Sequence, residues 1–458
     1  MTLGIFVFHR DLRVYDNTAL LQLAEAVDQI MPIFIFSPRQ VNRRINRFYN
    51  SNAIQFMCDS LRDLHTATHS SLRCFYGDEE RILAQLIHHY PVTHLAFNAD
   101  YTRFARERTH HIRRLCESKH VQLILAEDYT LTSIEDLRNG QPYVVYRPYL
   151  EAVLQTHIPA PRTDRIGQGR WKAASTSEKH LLSWSDLDQF YTSNPSVIAG
   201  GRKMGKMILS RVGKTFRRYN RERNTPSIET THLSAHIKFG TVSIREVYAV
   251  FRKTSSDLVR QLIWHDFYAQ LMYFLPYAQT LGGSNFQKKR VGWRSITSGK
   301  GRRWFQKWCE GRTGFPIIDA GMRQLNQTGW MHNRVRLLVS NFLSLLLGID
   351  WRHGERYFAQ RLVDYDPSSN NGNWQFSAQV GTDRAPYVRI YNPFAQSKQV
   401  DEDAVYIQRW IPELRDVDPE VIHQWDRLSE EWSDRIDYPS PMCDYDTQRE
   451  EAQRRYRS

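Results

Sequence analysis

The first third of the chain alternates short apolar runs with longer amphipathic segments, and this rhythm limits the possible folds most strongly. Apolar runs of this length are typical of strands buried on both faces, and the segments between them, such as 52–65 and 102–118, have helical spacing. Such alternation predicts βαβ units around a buried parallel sheet. We expect five strands: LGIFVF (3–8), MPIFIF (31–36), LRCFYG (72–77), VTHLAF (92–97) and VQLILA (121–126).

Polar turns follow these strands, with the sequences HRD, SPRQ, GDEE and NADYT. The carboxyl ends of parallel strands meet at one edge of a sheet, which is where open α/β sheets usually bind ligands. The first strand is not followed by Gly-x-Gly-x-x-Gly, so the common dinucleotide fingerprint is missing. Any ligand at this edge is therefore expected to bind in another way.

The pattern along the chain predicts two domains and a long connector. The α/β domain, with a Rossmann-like sheet, covers 1–130, and Pro, Ser, Thr and Gly accumulate in a linker over 131–205. Residues 206–440 have helical patterning with Ser and Thr caps, which predicts an all-α domain. The remaining 441–458 is charged and is expected to be a frayed tail.

Charge and cysteine content narrow the class of protein. Lys and Arg number 62 against 49 Asp and Glu, a formal net charge of +13, which favours a polyanionic partner, nucleic acid before an acidic membrane surface. The five cysteines are scattered and never form Cys-x-x-Cys, so we expect neither a disulfide framework nor a metal site. No signal peptide or membrane span is predicted, and we expect an intracellular protein.

Two motifs of the second domain admit a structural and a functional interpretation. Thr230, Thr231 and Ser234 lie at a helix start, where hydroxyls and free N–H groups suit either an ordinary N-cap or a bound phosphate. Further on, Trp264 and Tyr268 share a helical stripe with apolar neighbours. Such a stripe fits a helical core, and the same rings could stack on a base extruded from DNA.

The stretch GWMHNRVRLLVSNFLSLLLG (329–348) attaches polar residues to an apolar helix. Leucines and a phenylalanine at core spacing anchor this helix, while His332, Asn333, Arg334 and Arg336 gather around its first turn. Polar side chains at the start of a buried helix are typical of residues that line a pocket, so we expect a pocket at this position.

The segment 364–396 is rich in Asp, Asn, Ser and Gly around Trp374. This composition disfavours a helix, so we expect a loop that lines a site. Arg384 and Arg389 follow in the same segment, and NFQKKR (285–290) adds a second basic cluster. Either cluster suits phosphate contact or a solvated surface.

Five motifs together resemble the photolyase and cryptochrome family: FHRDLR, THLSAHIKFG, LIWHDFY, GRTGFPIIDAGMRQLNQTGWMHNRVR and DYDPSSNNGNWQF. The resemblance runs from Phe8 to about Leu414 and is most specific from Gly311 to Pro393. It implies an α/β antenna domain, a long linker and an all-α domain that holds a U-shaped FAD. It is closest to the class I enzymes that repair cyclobutane pyrimidine dimers.

The resemblance also implies which residues hold the cofactor. Asp366 would lie near the flavin ring and ribose, and Arg336 and Asp364 would form an ion pair beside the isoalloxazine. By the same resemblance, His265 would lie beside the phosphates, at a position where arginine is common. The phosphates would be held by Tyr219, Thr230, Thr231, Leu233 and Ser234.

Redox residues follow from the same resemblance. Trp374, Trp351 and Trp293 match the chain of tryptophans that photoreduces the flavin, with Trp304 as a substitute for the third because the segment after Trp293 is longer than usual. Asn370 would face the central nitrogen of the flavin ring, where photolyases have Asn, plant cryptochromes Asp and many animal cryptochromes Cys. A neutral amide tolerates the anionic reduced ring, which a carboxylate would disfavour.

Substrate choice can be argued at the proposed lesion pocket, which Trp264, Tyr268 and Trp374 would wall. Asn333 and Arg334 match enzymes that split cyclobutane dimers, whereas (6-4) photolyases have His at the first position and also at Leu337. Gln261 departs from the Glu that is usual in cyclobutane enzymes, since (6-4) enzymes and animal cryptochromes have Gln there. The first alternative is therefore a cryptochrome-like photoreceptor, and the second is a (6-4) photolyase, which Asn333 and Leu337 disfavour. Phe376 departs from Trp. The expected DNA contacts are Gln261, Trp264, Tyr268, Asn333, Arg334, Trp374, Arg389 and Gln396.

The resemblance leaves a second chromophore open. Folate-binding members have Asn-Glu where this chain has Phe104 and Ala105, which disfavours methenyltetrahydrofolate. A deazaflavin or a second flavin is favoured over it, and an empty pocket also stays open. The expected partner is UV-damaged DNA, and the expected state is a monomer.

Overall fold

The computed structural model describes residues 1–276, 285–382 and 387–457, with the side chains of residues 138 and 139 excepted. Arg384, one of the basic residues singled out above, lies outside the described residues. The chain divides into two compact units. Unit one is Met1–Arg217, Thr231–Pro276 and Val363–Ser368, and unit two is Arg218–Thr230, Tyr277–Leu362 and Ser369–Ser458. The domain boundaries given above stay predictions.

Unit one is built around a six-stranded sheet. Its strands are β1 (Leu3–Phe8), β2 (Gln29–Phe36), β3 (Arg73–Tyr76), β4 (Val92–Asn98), β5 (Gln122–Ala126) and β6 (Leu181–Leu182). They lie in the order β5-β4-β1-β2-β3-β6; the first five are parallel and β6 is antiparallel to β3. The five predicted parallel strands are confirmed. The sixth strand was not predicted, because two residues are too few to show a periodicity.

The helices of unit one pack on both faces of this sheet or follow it in the chain. They are α1 (Thr18–Ala26), α2 (Pro38–Val41), α3 (Ser51–Ala67), α4 (Glu79–His89), α5 (Arg103–Ser118), α6 (Tyr146–Gln155), α7 (Arg202–Thr215), α9 (Ser234–Lys238), α10 (Ile244–Thr254) and α11 (Ser256–Phe274). Phe6 and Phe8 of β1 belong to one apolar layer, and Ile5 and Val7 to the other. This alternation is expected of a strand buried on both faces.

Gly240 allows the loop after α9 to approach the carboxyl end of β1 closely. Its φ of +61° lies in the left-handed region, and a Cβ there would overlap the backbone of Arg10 and Asp11. Arg13 closes the contact, because its Nη1 donates to the Gly240 carbonyl at 3.1 Å. The end of β1 is thereby placed against the loop that follows α9, the helix that begins with the predicted cofactor residue Ser234.

Unit two is mainly helical. Its helices are α8 (Tyr219–Glu222), α12 (Gly299–Glu310), α13 (Pro316–Thr328), α14 (Asn333–Asn341), α15 (Trp351–Ala359), α16 (Pro367–Ser377, which begins in unit one), α17 (Pro393–Val400), α18 (Val405–Trp410), α19 (Pro419–His423), α20 (Trp425–Trp432) and α21 (Tyr445–Arg457). A π-helical turn, Phe342–Leu346, continues α14. The rings of Trp308, Trp351, Trp374 and Trp425 are fully buried. In the described part of the chain, no helix is both long and apolar enough to cross a membrane.

Two expectations were wrong. The segment after Asp366 is not a loop, because Pro367–Ser377 forms α16. Its amides find partners inside the helix, with Asn373 donating to the Ser369 carbonyl at 2.7 Å and Gln375 to Asn371 Oδ1 at 2.8 Å. This satisfies polar groups that would otherwise compete with the helical hydrogen bonds.

The charged tail is not frayed either, because Tyr445–Arg457 forms α21. Tyr456 is 6% exposed, and its hydroxyl donates to the Ala378 carbonyl at 2.5 Å. Arg455 donates to the Leu345 carbonyl at 3.1 Å. Tertiary anchoring of this kind stabilises a terminal helix that its own composition would not.

Candidate functional site

Asp366, a predicted cofactor residue, is held from the end of β1 and from the segment after β5. Its Oδ2 accepts hydrogen bonds from Arg10 Nη2 and from the Tyr129 hydroxyl, both at 2.5 Å, and its Oδ1 accepts one from Ser368 Oγ at 2.5 Å. The Arg10 guanidinium also lies 3.9 Å from the Tyr129 ring centroid and pairs with Asp100 at 3.3 Å. Asp366 is therefore fixed in position by three donors.

The charges around Asp366 are coupled. Burial alone would raise the pKa of Asp366, but the positive charge of Arg10, then His265, and the hydrogen bonds from Ser368 and Tyr129 hold that pKa well below its usual range. Asp366 consequently stays ionised at neutral pH. Arg10 is the group that most stabilises this charge.

Two more predicted cofactor residues meet at the start of α9. Ser234 Oγ donates to Asp364 Oδ2 at 2.6 Å, and Thr231 Oγ1 accepts the Leu233 N–H at 3.4 Å. Asp364 is 9% exposed. On the last turn of α9, burial and the charge of Arg10 lower the pKa of Lys238 to about 7.

His265 on α11 presents one satisfied and one unsatisfied ring nitrogen. Its Nδ1 lies 2.9 Å from Asp266 Oδ1, and the other carboxylate oxygen of Asp266 accepts the Leu131 N–H at 2.7 Å. The buried Nε2 has no hydrogen-bond partner among the described residues. A buried polar atom left unpaired costs about 1–3 kcal/mol, so this nitrogen is suited to a ligand.

The predicted lesion residues of α11 share one face of the helix. The Trp264 and Tyr268 rings are 5.7 Å apart at 30° to each other, and Phe267 meets Trp264 edge to face at 5.6 Å. One turn earlier, Gln261 Nε2 donates to the Asp257 carbonyl at 3.4 Å. Gln261 and Trp264 are half-buried, whereas Tyr268 is 5% exposed and contributes mainly to the core.

Asn370, in unit two, has an orientation set by Glu355. Its Nδ2 lies 3.0 Å from Glu355 Oε1 and 3.2 Å from the Glu355 carbonyl oxygen. Both of these atoms are acceptors, so the NH2 group of the amide must face them. The Asn370 carbonyl oxygen is thereby left as an acceptor on the opposite side.

The tryptophans of unit two have different neighbours. Trp374 packs edge to face against Trp308 and Phe358, with ring centroids 6.2 and 5.0 Å away. Gly354 of α15 lies under Trp374, and a Cβ there would overlap its ring. Trp351 is 1% exposed at the start of α15.

The two candidates for the third tryptophan also differ. Trp293 is half-buried and lies 6.3 Å from the Tyr456 ring, whereas Trp304 is 5% exposed, with Lys300 and Arg294 over its ring at 4.2 and 5.0 Å. Two cations beside an indole disfavour its positively charged oxidised form, because like charges repel. This environment favours Trp293.

The polar cluster predicted before the apolar helix forms the first turn of α14. His332 is the N-cap, and its Nδ1 accepts the Arg334 N–H at 3.2 Å. The Arg334 guanidinium donates to Asn224 Oδ1 at 2.5 and 3.1 Å, and Arg336 Nε donates to the Met331 carbonyl at 2.8 Å. Asn333 is exposed. Only Asn333 of this cluster is thus largely open to solvent.

The remaining predicted DNA contacts lie at the surface of unit two. Arg389 is exposed and Gln396 is half-buried, with its Nε2 donating to Gln399 Oε1 at 2.9 Å. In the KKR cluster, Lys288 and Arg290 are exposed, but Lys289 Nζ donates to the Tyr456 carbonyl at 3.1 Å. Lys289 therefore anchors α21 in addition to any role at DNA.

Sequence reasoning missed Arg10, Tyr129, Glu355 and Trp308 as partners of the site. Arg10 could have been predicted as a site residue, because it lies in the polar turn after β1. The other three lie in no motif that marked them. Tyr129 contacts Asp366, and Glu355 and Trp308 contact Asn370 and Trp374, respectively, across long separations in sequence.

The predicted cofactor residues are divided between the units. Unit one holds Thr231, Leu233, Ser234, His265, Asp364 and Asp366, and unit two holds Tyr219, Thr230, Arg336 and Asn370. The contacts above bring together Ser234 with Asp364. The ion pair predicted between Arg336 and Asp364 stays a prediction.

The donor set fits a cofactor with phosphates and a polar ring. In unit one, Thr231 and Ser234 supply hydroxyls, and His265 Nε2 supplies a buried polar atom without a partner among the described residues. Asn370 supplies an oriented amide oxygen. Among the residues with described side chains, His, Cys, Asp and Glu form no group of three or more that could hold a metal ion.

Comparison with known proteins identifies the family. Residues 5–165 match the family model described as DNA photolyase, and residues 258–458 match the model described as the FAD binding domain of DNA photolyase. The FAD cofactor implied by the resemblance is thereby supported, and the chain carries this FAD-binding domain.

Similar proteins cover nearly the whole chain. The deoxyribodipyrimidine photo-lyase of Alkalihalophilus pseudofirmus is 32% identical over 97% of this chain and 96% of its own length. The archaeal photolyase of Sulfolobus tokodaii, solved with two FAD molecules, is 34% identical over 100% of both chains with a TM-score of 0.87. A cryptochrome from Synechocystis, 24% identical over 99% of both chains with a TM-score of 0.85, shares the fold. The chain therefore belongs to the photolyase and cryptochrome family.

Proposed function

We propose that this chain is a light-dependent lyase that splits cyclobutane pyrimidine dimers in damaged DNA. The similarity to deoxyribodipyrimidine photo-lyases over nearly the whole length is the observation that carries the proposal. Bound reduced FAD would supply light-driven one-electron chemistry; because the electron is returned, breaking the two carbon–carbon bonds of the dimer would need no net oxidant or reductant. The chain has to bind this cofactor, present the lesion to it and exclude water.

Each unit, taken by itself, has proposed cofactor contacts. In unit one, His265 Nε2 can bond a phosphate oxygen, and Asp366, fixed by Arg10 and Tyr129, can accept hydrogen bonds from a ribose or ring N–H. In unit two, the Asn370 oxygen can accept from a ring N–H, because its NH2 group faces Glu355. The other proposed cofactor contacts are Tyr219, Thr230, Thr231, Leu233, Ser234, Arg336 and Asp364.

The lesion would be swung out of the duplex onto the aromatic face of α11. Extruding a dimer from the duplex costs less free energy than extruding an intact base, because the pairing and stacking of the dimer are already weakened. The Gln261 amide can donate to a pyrimidine carbonyl in place of the acid usual in related enzymes. Asn333, Arg334, Arg389 and Gln396 would contact the lesion or its flanking phosphates.

Electron supply to the oxidised cofactor would use Trp374, Trp351 and Trp293. Trp374 and Trp351 are shielded from water, and Trp293 is half-buried. A graded exposure of this kind suits transfer of the oxidised state toward the surface. A second chromophore of flavin type stays part of the proposal; Phe104, 44% exposed with Arg39 5.9 Å from its ring, offers an open aromatic surface in unit one.

The test is direct repair. Purified protein with verified reduced FAD is illuminated with near-ultraviolet or blue light together with an oligonucleotide that contains one thymine dimer. We expect restored thymines in the light and none in a dark control. A second oligonucleotide with a (6-4) photoproduct should stay unrepaired, as Asn333 and Leu337 predict. A dimer that persists undiminished under illumination would contradict the proposal and favour a photoreceptor, the alternative supported by Gln261.

A further inference from the structure

The linker residue Tyr146 lies flat on Trp264. The two ring centroids are 3.6 Å apart and the ring planes differ by 5°. The two faces therefore overlap nearly fully, as a nucleic-acid base overlaps an aromatic side chain on which it stacks. Tyr146 is the first residue of α6, which lies in the segment predicted as a linker, 131–205.

Several contacts fix Tyr146 in this place. Its hydroxyl donates to the Arg260 carbonyl on α11 at 3.1 Å, and its ring meets Phe267 edge to face at 5.7 Å. The approach of the chain is set nearby, where the Tyr143 N–H donates to Gln270 Oε1 at 3.0 Å and Gln270 Nε2 donates back to the Tyr143 carbonyl at 2.7 Å. The Tyr146 side chain is thus held in one position against α11.

The contacts around Trp264 confine its ring. Tyr146 covers one face, Phe267 presents its ring perpendicular to the indole at 5.6 Å, and Tyr268 lies 5.7 Å away. A half-buried tryptophan without such support would sample several rotamers and would lose that freedom when a base stacks on it. With Tyr146 in place, this loss occurs during folding of the protein.

We infer that Tyr146 is a positioning residue that backs Trp264 and orders its ring before the lesion binds. The inference rests on the proposed function, in which Trp264 stacks on the extruded dimer. Tyr146 itself does not touch the lesion. Its hydrogen bond to Arg260 and its contact with Phe267 disfavour the other possibility, that Tyr146 occupies the place of the base and leaves when DNA binds.

The test compares Tyr146→Ala with Tyr146→Phe. In the dark, each protein with bound FAD is titrated with a dimer-containing oligonucleotide and with the same oligonucleotide undamaged. Removal of the ring should raise the Kd for the dimer by about two- to tenfold, the range expected for ordering one side chain. The Kd for undamaged DNA, FAD absorbance and photoreduction should stay unchanged. Tyr146→Phe keeps the stack and should bind the dimer within about twofold of wild type.

Two further comparisons separate positioning from general damage. Leu154→Ala changes an exposed residue of the same helix, 61% exposed, and should have no effect. Adding Tyr146→Ala to Trp264→Ala should not weaken dimer binding further, because the positioned ring is already absent. Tyr146→Leu, which keeps most of the volume without a flat ring, replaces Tyr146→Ala should that protein not fold.

The outcomes are distinct. An unchanged Kd for the dimer, an equal loss of affinity for undamaged DNA, or an additive loss in the double variant would overturn the inference. Tighter dimer binding by Tyr146→Ala would show that Tyr146 competes with the lesion. A wild-type protein that fails to distinguish dimer from undamaged DNA would contradict the proposed function itself.

Discussion

Replacement of Arg10 by Gln is expected to destabilise the chain and to weaken its hold on FAD. Arg10 and Asp366 have 15% and 7% of their side chains exposed, so the pair is largely buried. Removing one partner of a buried pair leaves the other charge uncompensated and costs about 3–5 kcal/mol. Because Arg10 keeps some access to water, we expect the lower end, about 3 kcal/mol.

A double-mutant cycle isolates the pair. Asp366→Asn removes the carboxylate, and Arg10→Gln/Asp366→Asn removes both charges, so the double variant should be more stable than the sum of the single effects predicts. We expect a coupling free energy of about 2 kcal/mol, within the range for residues in contact. The coupling should be present at pH 8 and at pH 5, since the depressed pKa keeps Asp366 ionised, and it should be lost as pH falls below 3.8, the unfolded value, through the folded pKa.

The assay is urea unfolding of apoprotein, with the retained FAD measured separately from its absorbance after gel filtration. Arg103→Gln is the matched control, because its pair with Glu107 is 73% and 55% exposed and should contribute less than about 0.5 kcal/mol. Effects of Arg10→Gln and Asp366→Asn that add within about 0.5 kcal/mol would refute the coupling. Unchanged FAD retention would refute the role at the cofactor.

Three further predictions concern other parts of the molecule. Trp374→Phe should abolish photoreduction of oxidised FAD, measured by flash photolysis. Repair by chemically reduced protein should stay within about twofold of the wild-type rate in a repair assay. Unimpaired photoreduction would mean that the electron takes another route. Arg334→Gln should weaken duplex binding and lower the slope of log Kd against log salt by about 0.9, the share of one phosphate contact, whereas an unaltered slope would remove Arg334 from the DNA surface. Burial lowers the pKa of His236 from 6.5 to about 4. As the pH falls, the unfolded chain therefore takes up the proton before the folded chain does. The free energy of unfolding should decrease by about 3 kcal/mol between pH 6.5 and pH 4. His236→Gln should lack this component in urea titrations, and an equal pH dependence in both proteins would contradict it.

The sequence was most informative where periodicity alone decides structure. The five parallel strands were placed correctly because each is an apolar run with turn residues behind it. The α16 segment was misjudged because Asn and Ser compete with helical hydrogen bonds unless their side chains find partners. Asn370 finds its partner in Glu355, which no local pattern could reveal. The α21 helix was missed for the same reason, since its anchor is the distant Ala378 carbonyl.

The candidate site was predictable only in part. The motifs named individual residues, and the structure joins Ser234 to Asp364 as neighbours. It adds Arg10, 356 residues before its partner Asp366, and Tyr146, whose segment lacked any motif. Long-range ion pairs and ring stacks depend on how elements pack, and a single sequence contains no measure of that.

Gly354 affects the rate of electron transfer between the tryptophans as well as their packing. Because this position has no side chain, the Trp374 indole rests directly on the helix that begins with Trp351. The rate of electron tunnelling between two sites falls exponentially with the distance between them. A methyl group at this position would overlap the Trp374 ring and would have to push it away from α15, which would lengthen the gap and slow electron transfer.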